Sequence, residues 1–268
     1  MIDLGKKNVL GIRVDAVDYE AAVRKIIAAA EADEKMAATA LAVHGLMTGV
    51  MDPVQKYRLN RLDMITPDGQ PVRWALNWLY NTRLSDRVYG PTLMLEICKQ
   101  AEIKSVPIYL YGSSMSVIVN LEANLHSKFP QLVISGKEPS KFRRLSEEEQ
   151  LLSVNNIKNS GAKLVFVGLG CPKQEVWVFE HRNLLSIPLI AVGAAFDFHA
   201  GSLPQAPSTA QKLGLEWSFR LFREPKRLWK RYLILNPIYM QLLFMQKTGI
   251  KQFDPDQVEA PIETMRYG

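Results

Sequence analysis

Several residues able to do acid–base chemistry stand where short apolar runs give way to turns. Asp68 follows Leu62-Asp-Met-Ile65 and Thr66-Pro67 and precedes Gly69. A carboxylate there could cap the next helix, or it could deprotonate an acceptor hydroxyl as a general base. Asp197 lies in Ala195-Phe-Asp-Phe-His199, where it could be a second such carboxylate or hold a loop by accepting backbone hydrogen bonds. His44 and His199 could move protons or hydrogen-bond a sugar, although a lone histidine is more often structural. Gln174 and Glu175 follow Gly168-Leu-Gly170 and Pro172 in what reads as a helix's first turn, where a glutamate also serves simply as a dipole partner.

The second ingredient is a set of groups suited to phosphate. Gly112-Ser-Ser114 could offer backbone N–H groups at a helix N-terminus, but it lacks the spacing of a dinucleotide or P-loop fingerprint and reads equally as an ordinary turn. Gly168 and Gly170 allow close backbone approach. Arg220, Arg223, Arg227 and Arg231 recur at spacings of three, four and four, so they share a helical face if Pro225 starts a new helix. Planar guanidinium groups can neutralise a diphosphate without a metal. No HExxH, CxxC, DxD or Ser–His–Asp order stands out, so no metal or other cofactor is expected. A plain solvated basic face is the simpler reading. Leu221, Phe222, Leu228, Trp229, Tyr232 and Leu233 interleave with these cations, which also suits an anionic membrane surface.

Positioning such groups requires a scaffold, and the chain supplies one by pattern. Short apolar runs at residues 9–14, 38–43, 62–65, 106–111, 132–135, 163–167 and 188–192 alternate with helical segments. Asp15 or Asp18 could cap the first helix and Thr92 a later one; Ser146 with Glu149 makes a capping box. The segment from Leu46 to Tyr57 should be mostly helical and break near Pro53. This predicts an α/β fold, a Rossmann-like, mostly parallel sheet with helices on both faces. Ligands in such sheets bind beyond the carboxyl ends of the strands. His44, Asp68, Gly112, Gly168-Leu-Gly170 and Gly193–Asp197 should therefore converge on one rim.

The 268 residues allow one large core, read as 1–205, plus a basic helical appendage, 206–251, and a loosely held acidic tail, 252–268. The +6 net charge is concentrated: residues 212–251 carry nine Lys and Arg against only Glu216 and Glu224. Two cysteines make neither a disulfide framework nor a zinc pattern, which suits a reducing cytoplasm. No signal-peptide pattern and no apolar run of spanning length is seen. A dehydrogenase would need a GxGxxG and a following acid, and neither is present. A non-catalytic membrane- or polyanion-binding module is the principal rival, and its binding would not depend on Asp68.

At these same residues the sequence resembles the WecG/TagA/CpsF glycosyltransferases of bacterial surface-polysaccharide synthesis. The matching motifs are Thr66-Pro-Asp-Gly69, Arg87-Val-x-Gly90, Val167-Gly-Leu-Gly-x-Pro-x-Gln-Glu175, Val192-Gly-Ala-x-Phe-Asp197, Ala206-Pro207, and Gly214-Leu-Glu-Trp through Arg231-Tyr232. They occur in family order over residues 9–235. The resemblance implies an inverting, metal-independent transfer from a UDP-sugar to a sugar on a polyprenyl diphosphate, in exopolysaccharide, capsule or teichoic-acid-type synthesis. It implies that Asp68 is the base, that Arg220, Arg227 and Arg231 hold the UDP diphosphate, and that Gln174 lines the pocket. Arg87, within its motif, is placed with His44, Gly112, Gly168, Gly170, Glu175 and Asp197 around donor and acceptor. The implied location is cytoplasmic, peripheral on the inner face of the membrane, with no nucleic acid involved. A core whose appendage is undocked would expose apolar surface, so a homo-oligomer is also expected. Two departures stand out. Ala42-Val43-His44 replaces a common Thr-x-Asn element, which suggests a donor other than N-acetylmannosamine and points to a hexose, glucose in particular; the donor class expected is a hexose or an N-acetylhexosamine. Ser208-Thr209 replaces a tryptophan that often follows Ala-Pro.

Overall fold

A computed structural model of the chain describes every residue except 208, 209, 211–213 and 215, and the side chains of Arg220, Arg227, Lys230 and Arg231 also lie outside the description. The main sheet has six strands: β3 (Met36–Leu41), β4 (Met64–Pro67), β5 (Ile108–Gly112), β6 (Ile134–Glu138), β7 (Leu164–Gly168) and β8 (Pro188–Ala191). Their order is β4-β3-β8-β7-β5-β6, and every pairing is parallel. Both faces are covered, as a parallel sheet requires. Along β7 the side chains alternate between two cores: Val165 and Val167 join Tyr111 and Trp177 on one face, while Leu164 and Phe166 join Ile108 and Ile190 on the other. β6 runs two to three residues later than its apolar segment indicates, because Leu132 is buried ahead of the strand.

Before this sheet comes a separate antiparallel hairpin, β1 (Asp3–Val9) and β2 (Ile12–Val17), where the sequence suggests one strand at 9–14. Val9 pairs with Ile12, so Leu10 and Gly11 form a two-residue turn with φ of 55° and 86°. Positive φ at both positions matches the twist of a hairpin. Asp18 caps α1 (Tyr19–Glu31), accepting a bond from Ala21 N at 2.9 Å. The other candidate cap, Asp15, is buried in β2 and accepts bonds from Lys6 Nζ at 3.1 Å and Ile65 N at 2.7 Å.

The helices that frame the sheet are α2 (Val43–Met51), α3 (Pro53–Asn60), α4 (Gln70–Tyr80), α5 (Gly90–Ile103), α6 (Met115–Lys128), α7 (Glu147–Asn159), α8 (Lys173–His181) and α9 (Ala195–His199). The break at Pro53 is present: Asp52 ends α2 and caps α3. The Ser146–Glu149 capping box closes the start of α7. Thr92 does not cap α5, which begins two residues earlier at Gly90.

The appendage comprises α10 (Glu216–Arg223), α11 (Pro225–Trp229), a π-helical run (Lys230–Leu235) and α12 (Asn236–Lys247). Pro225 opens α11, where its missing N–H costs nothing. α12 docks on the core through buried Tyr239 and Leu243, with Tyr239 Oη donating to Pro71 O at 3.1 Å. Gln246 bonds both Leu10 N and Asn8 O at 2.9 Å, so α12 also closes the exposed backbone of the hairpin turn. The tail, expected to be loose, lies along the body. Asn8 and Asn60 side chains donate to Phe253 O and Pro255 O, and Glu180 accepts from Met265 N and Arg266 N. Arg13 also donates to both carboxylate oxygens of Asp256, at 2.8 and 2.7 Å.

Candidate active site

The carboxyl ends of β3, β4, β7 and β8 open into a cleft of about 1090 Å³. Residues just beyond these strands line it: His44 after β3, Asp68 after β4, Gly168 and Gly170 at β7, and Asp197 beyond β8. The opposite wall comes from the appendage, through Glu216, Trp217, Glu224, Leu228 and Tyr232. Strand ends and appendage thus enclose one volume, large enough for a nucleotide-sized ligand.

Asp68 sits between two helix N-termini. Gly69 caps α4, and Gly90 N, at the start of α5, donates to Asp68 Oδ1 at 2.6 Å. The backbone at the start of α5 thus helps to orient this half-buried carboxylate. Gly90 has to be small, because a Cβ there would meet Val192 O at 3.0 Å.

Gln174 does not merely line the pocket. It is 2% exposed, and its Oε1 accepts from Gly170 N at 3.2 Å and Gly193 N at 3.1 Å. It thereby ties the turn after β7 to the turn after β8. Its Nε2 donates to Glu175 Oε1 at 2.9 Å, which also accepts from Thr39 Oγ1 at 3.0 Å. Burial pushes the Glu175 carboxyl above the usual carboxylate range, with the bonds from Gln174 and Thr39 opposing.

Arg87 has a partner that sequence reasoning missed. Its guanidinium donates to Glu216 Oε2 at 2.6 Å, and Tyr89 Oη donates to Glu216 Oε1 at 3.0 Å. The Arg87 guanidinium also lies over the Tyr89 ring, 4.1 Å from its centroid. All three residues are buried. Burial works against the Arg87 charge, but the carboxylates of Asp68 and Glu216 outweigh it and the net shift is upward. The available signal was the rarity of acids in the basic stretch: Glu216 and Glu224 are its two acids, and both line the cleft.

Two other candidates fall elsewhere. Gly112 does not line the cleft, although Ser113 and Ser114 do. Its φ is +111°, and a Cβ would lie 2.8 Å from the Gly168 carbonyl, so it serves the close approach of β5 and β7. His199 is likewise absent from the lining: its Nε2 meets Pro91 O at 2.8 Å, joining α9 to α5. The Asp197 backbone carbonyl accepts bonds from Ser202 N and Leu203 N. Arg220 lies in α10, Arg227 in α11 and Arg231 in the π-helical run; their side chains lie outside the described residues. Among the described residues no group of three His, Cys, Asp or Glu could hold a metal ion, and no helix is long and apolar enough to cross a membrane.

The sequence profile of the Glycosyl transferase WecG/TagA/CpsF family matches residues 7–252. The chain belongs to that family. Its match spans the sheet, the cleft and α12 together. This WecG/TagA/CpsF glycosyl transferase is 31% identical over 198 residues to the N-acetylglucosaminyldiphosphoundecaprenol N-acetyl-beta-D-mannosaminyltransferase of Bacillus subtilis, covering 74% of each chain. It is 27% identical over 211 residues to the enzyme of the same name from Bacillus spizizenii, covering 78% of this chain and 79% of that one. Glycosyl transfer is thus the chemistry of this family.

Proposed function

We propose that the enzyme transfers a sugar from a UDP-sugar to a sugar carried on a polyprenyl diphosphate, with inversion and without a metal. The observation that carries this is Asp68, held by Gly90 N on the wall of a cleft that the arginine-bearing appendage also lines. Asp68 takes the proton of the acceptor hydroxyl as its oxygen attacks the anomeric carbon, and UDP departs from the opposite face in one displacement. Arg220, Arg227 and Arg231 take up the charge that grows on the diphosphate, the role a divalent ion otherwise fills. The names of the two Bacillus relatives support the polyprenyl-linked acceptor. For the donor they favour an N-acetylhexosamine, whereas Ala42-Val43-His44 at the cleft's edge favours a hexose.

The carrier lipid requires a membrane surface, and the appendage suits one. Phe222 is 87% exposed, and Leu233, Phe244 and Trp229 are also exposed among the cations. We place the enzyme on the inner face of the membrane by that surface. The test is a panel of UDP-hexoses and UDP-N-acetylhexosamines, with synthetic polyprenyl-diphosphate sugars as acceptors. Acceptor-dependent UDP release with one donor, carried out without added metal and in chelator, is the expected result. No release with any donor and no UDP binding by calorimetry would refute the proposal and favour a non-catalytic module.

A further inference from the structure

The appendage reaches the cleft along a path that includes one buried polar joint. Glu216 is the first residue of α10. Both of its carboxylate oxygens are engaged by core residues: Oε2 by Arg87 at 2.6 Å and Oε1 by Tyr89 at 3.0 Å. The side chains of Arg87 and Glu216 are each only 10% exposed. A buried charge without its partner is strongly unfavourable, so the joint tolerates little beyond its two end states: closed with both charges paired, or open with both hydrated. The geometry points to Glu216 as the positioning residue that docks the appendage, so that closing the Arg87–Glu216–Tyr89 joint assembles the diphosphate-binding wall over Asp68.

Three observations support this. The partners are 129 residues apart in sequence, so the bond reports tertiary docking and not local helix structure. α10 leads directly through Pro225 into α11 and the π-helical run, and Arg220, Arg227 and Arg231 are carried on these three elements. Asp68 is the other carboxylate whose charge Arg87 feels. The same guanidinium that holds the appendage through Glu216 therefore also acts on the proposed base. The inference rests on the proposed glycosyl transfer for its catalytic meaning, but the docking itself does not.

The test is Glu216→Gln in the full-length chain, which keeps the size and removes the charge. Hydrogen–deuterium exchange of peptides spanning 216–235 is read beside UDP affinity by calorimetry and transfer kinetics. Exchange in 216–235 should quicken at least tenfold, with the β7 and β8 peptides unchanged. UDP Kd and donor KM should rise at least tenfold, and Glu216→Asp should recover part of both. Unchanged exchange in Glu216→Gln overturns the docking role. Faster exchange with UDP affinity and turnover at the wild-type level overturns the positioning role. Should Glu216→Gln fail to fold, Tyr89→Phe removes the Oε1 bond alone and is read by the same criteria. A wild type that neither binds UDP nor turns over refutes the functional proposal instead, and the exchange result still decides the docking.

Discussion

Asp68 carries two duties that substitution can separate. As a general base it contributes about 10²–10⁴-fold to rate, or about 3–5.5 kcal/mol at 1.36 kcal/mol per tenfold. As a cap it accepts the 2.6 Å bond from Gly90 N that starts α5. Asp68→Asn keeps an amide oxygen for Gly90 and removes the basicity. Asp68→Ala removes both. A lost charge-assisted bond costs about 1.5–3 kcal/mol. For 268 residues at about 2.1 cal/mol/K each, the unfolding entropy is about 0.56 kcal/mol/K, so the alanine variant should melt about 3–5 °C lower. The asparagine variant should melt within about 2 °C of wild type, since a neutral acceptor forfeits only the charge-assisted part of the bond. Both variants should lose 10²–10⁴-fold in kcat. The assay pairs UDP release under saturating donor and acceptor with scanning calorimetry. If Asp68→Asn retains more than a tenth of wild-type kcat, Asp68 is a cap and not the base. If the asparagine variant melts as low as the alanine one, the separation of the two duties is wrong.

Gln174→Ala should release the turns after β7 and β8 together, because Oε1 accepts from both Gly170 N and Gly193 N. Both glycines lie at the solvent-accessible cleft, so water can meet the freed amides; thermal unfolding should fall by only a degree or two, while donor KM should rise more than kcat falls. His181 supplies a pH signature. It is stacked on Trp177 at 3.9 Å, and burial lowers its pKa from 6.5 to about 4. In this window the unfolded chain binds a proton that the folded chain refuses, so stability falls as pH drops from 6.5 towards 4. At pH 5 the loss relative to pH 7 is about 2 kcal/mol, and urea unfolding of His181→Gln should show a correspondingly smaller drop than wild type. At the surface proposed to meet the membrane, Phe222→Glu with Leu233→Glu should cut co-sedimentation with anionic vesicles at least tenfold while leaving the melting temperature unchanged, since both side chains are exposed.

What could be read from the sequence was what short-range pattern encodes. Apolar runs alternating with helical segments yielded the parallel sheet, and the sheet in turn dictated that Asp68, His44 and Gly168 meet at one rim. The capping box at Ser146 and the restart at Pro225 were legible for the same reason: each depends on neighbours within four residues. The opening hairpin was not, because Leu10-Gly11 is a weak turn signal inside a run that alternates like one strand. Glu216 was passed over because its meaning lies in Arg87 and Tyr89, far away in sequence, and the tail because its partners, among them Arg13 for Asp256 and Glu180 for the 265–266 backbone, are equally distant.

The two halves of the site therefore differ in what holds them. The rim is built from parallel strands with both faces buried, and a backbone amide at the start of α5 bonds Asp68 there. The facing wall reaches the rim through the Arg87–Glu216–Tyr89 joint, while α12 is fixed separately by Tyr239, Leu243 and Gln246. Between these two fixed points lie α10, α11 and the π-helical run, with Phe222, Trp229 and Leu233 exposed. A segment pinned at both ends and apolar outward gains from a lipid surface without giving up its hold on the core. In that arrangement membrane contact and closure of the joint favour the same state, and each should strengthen the other.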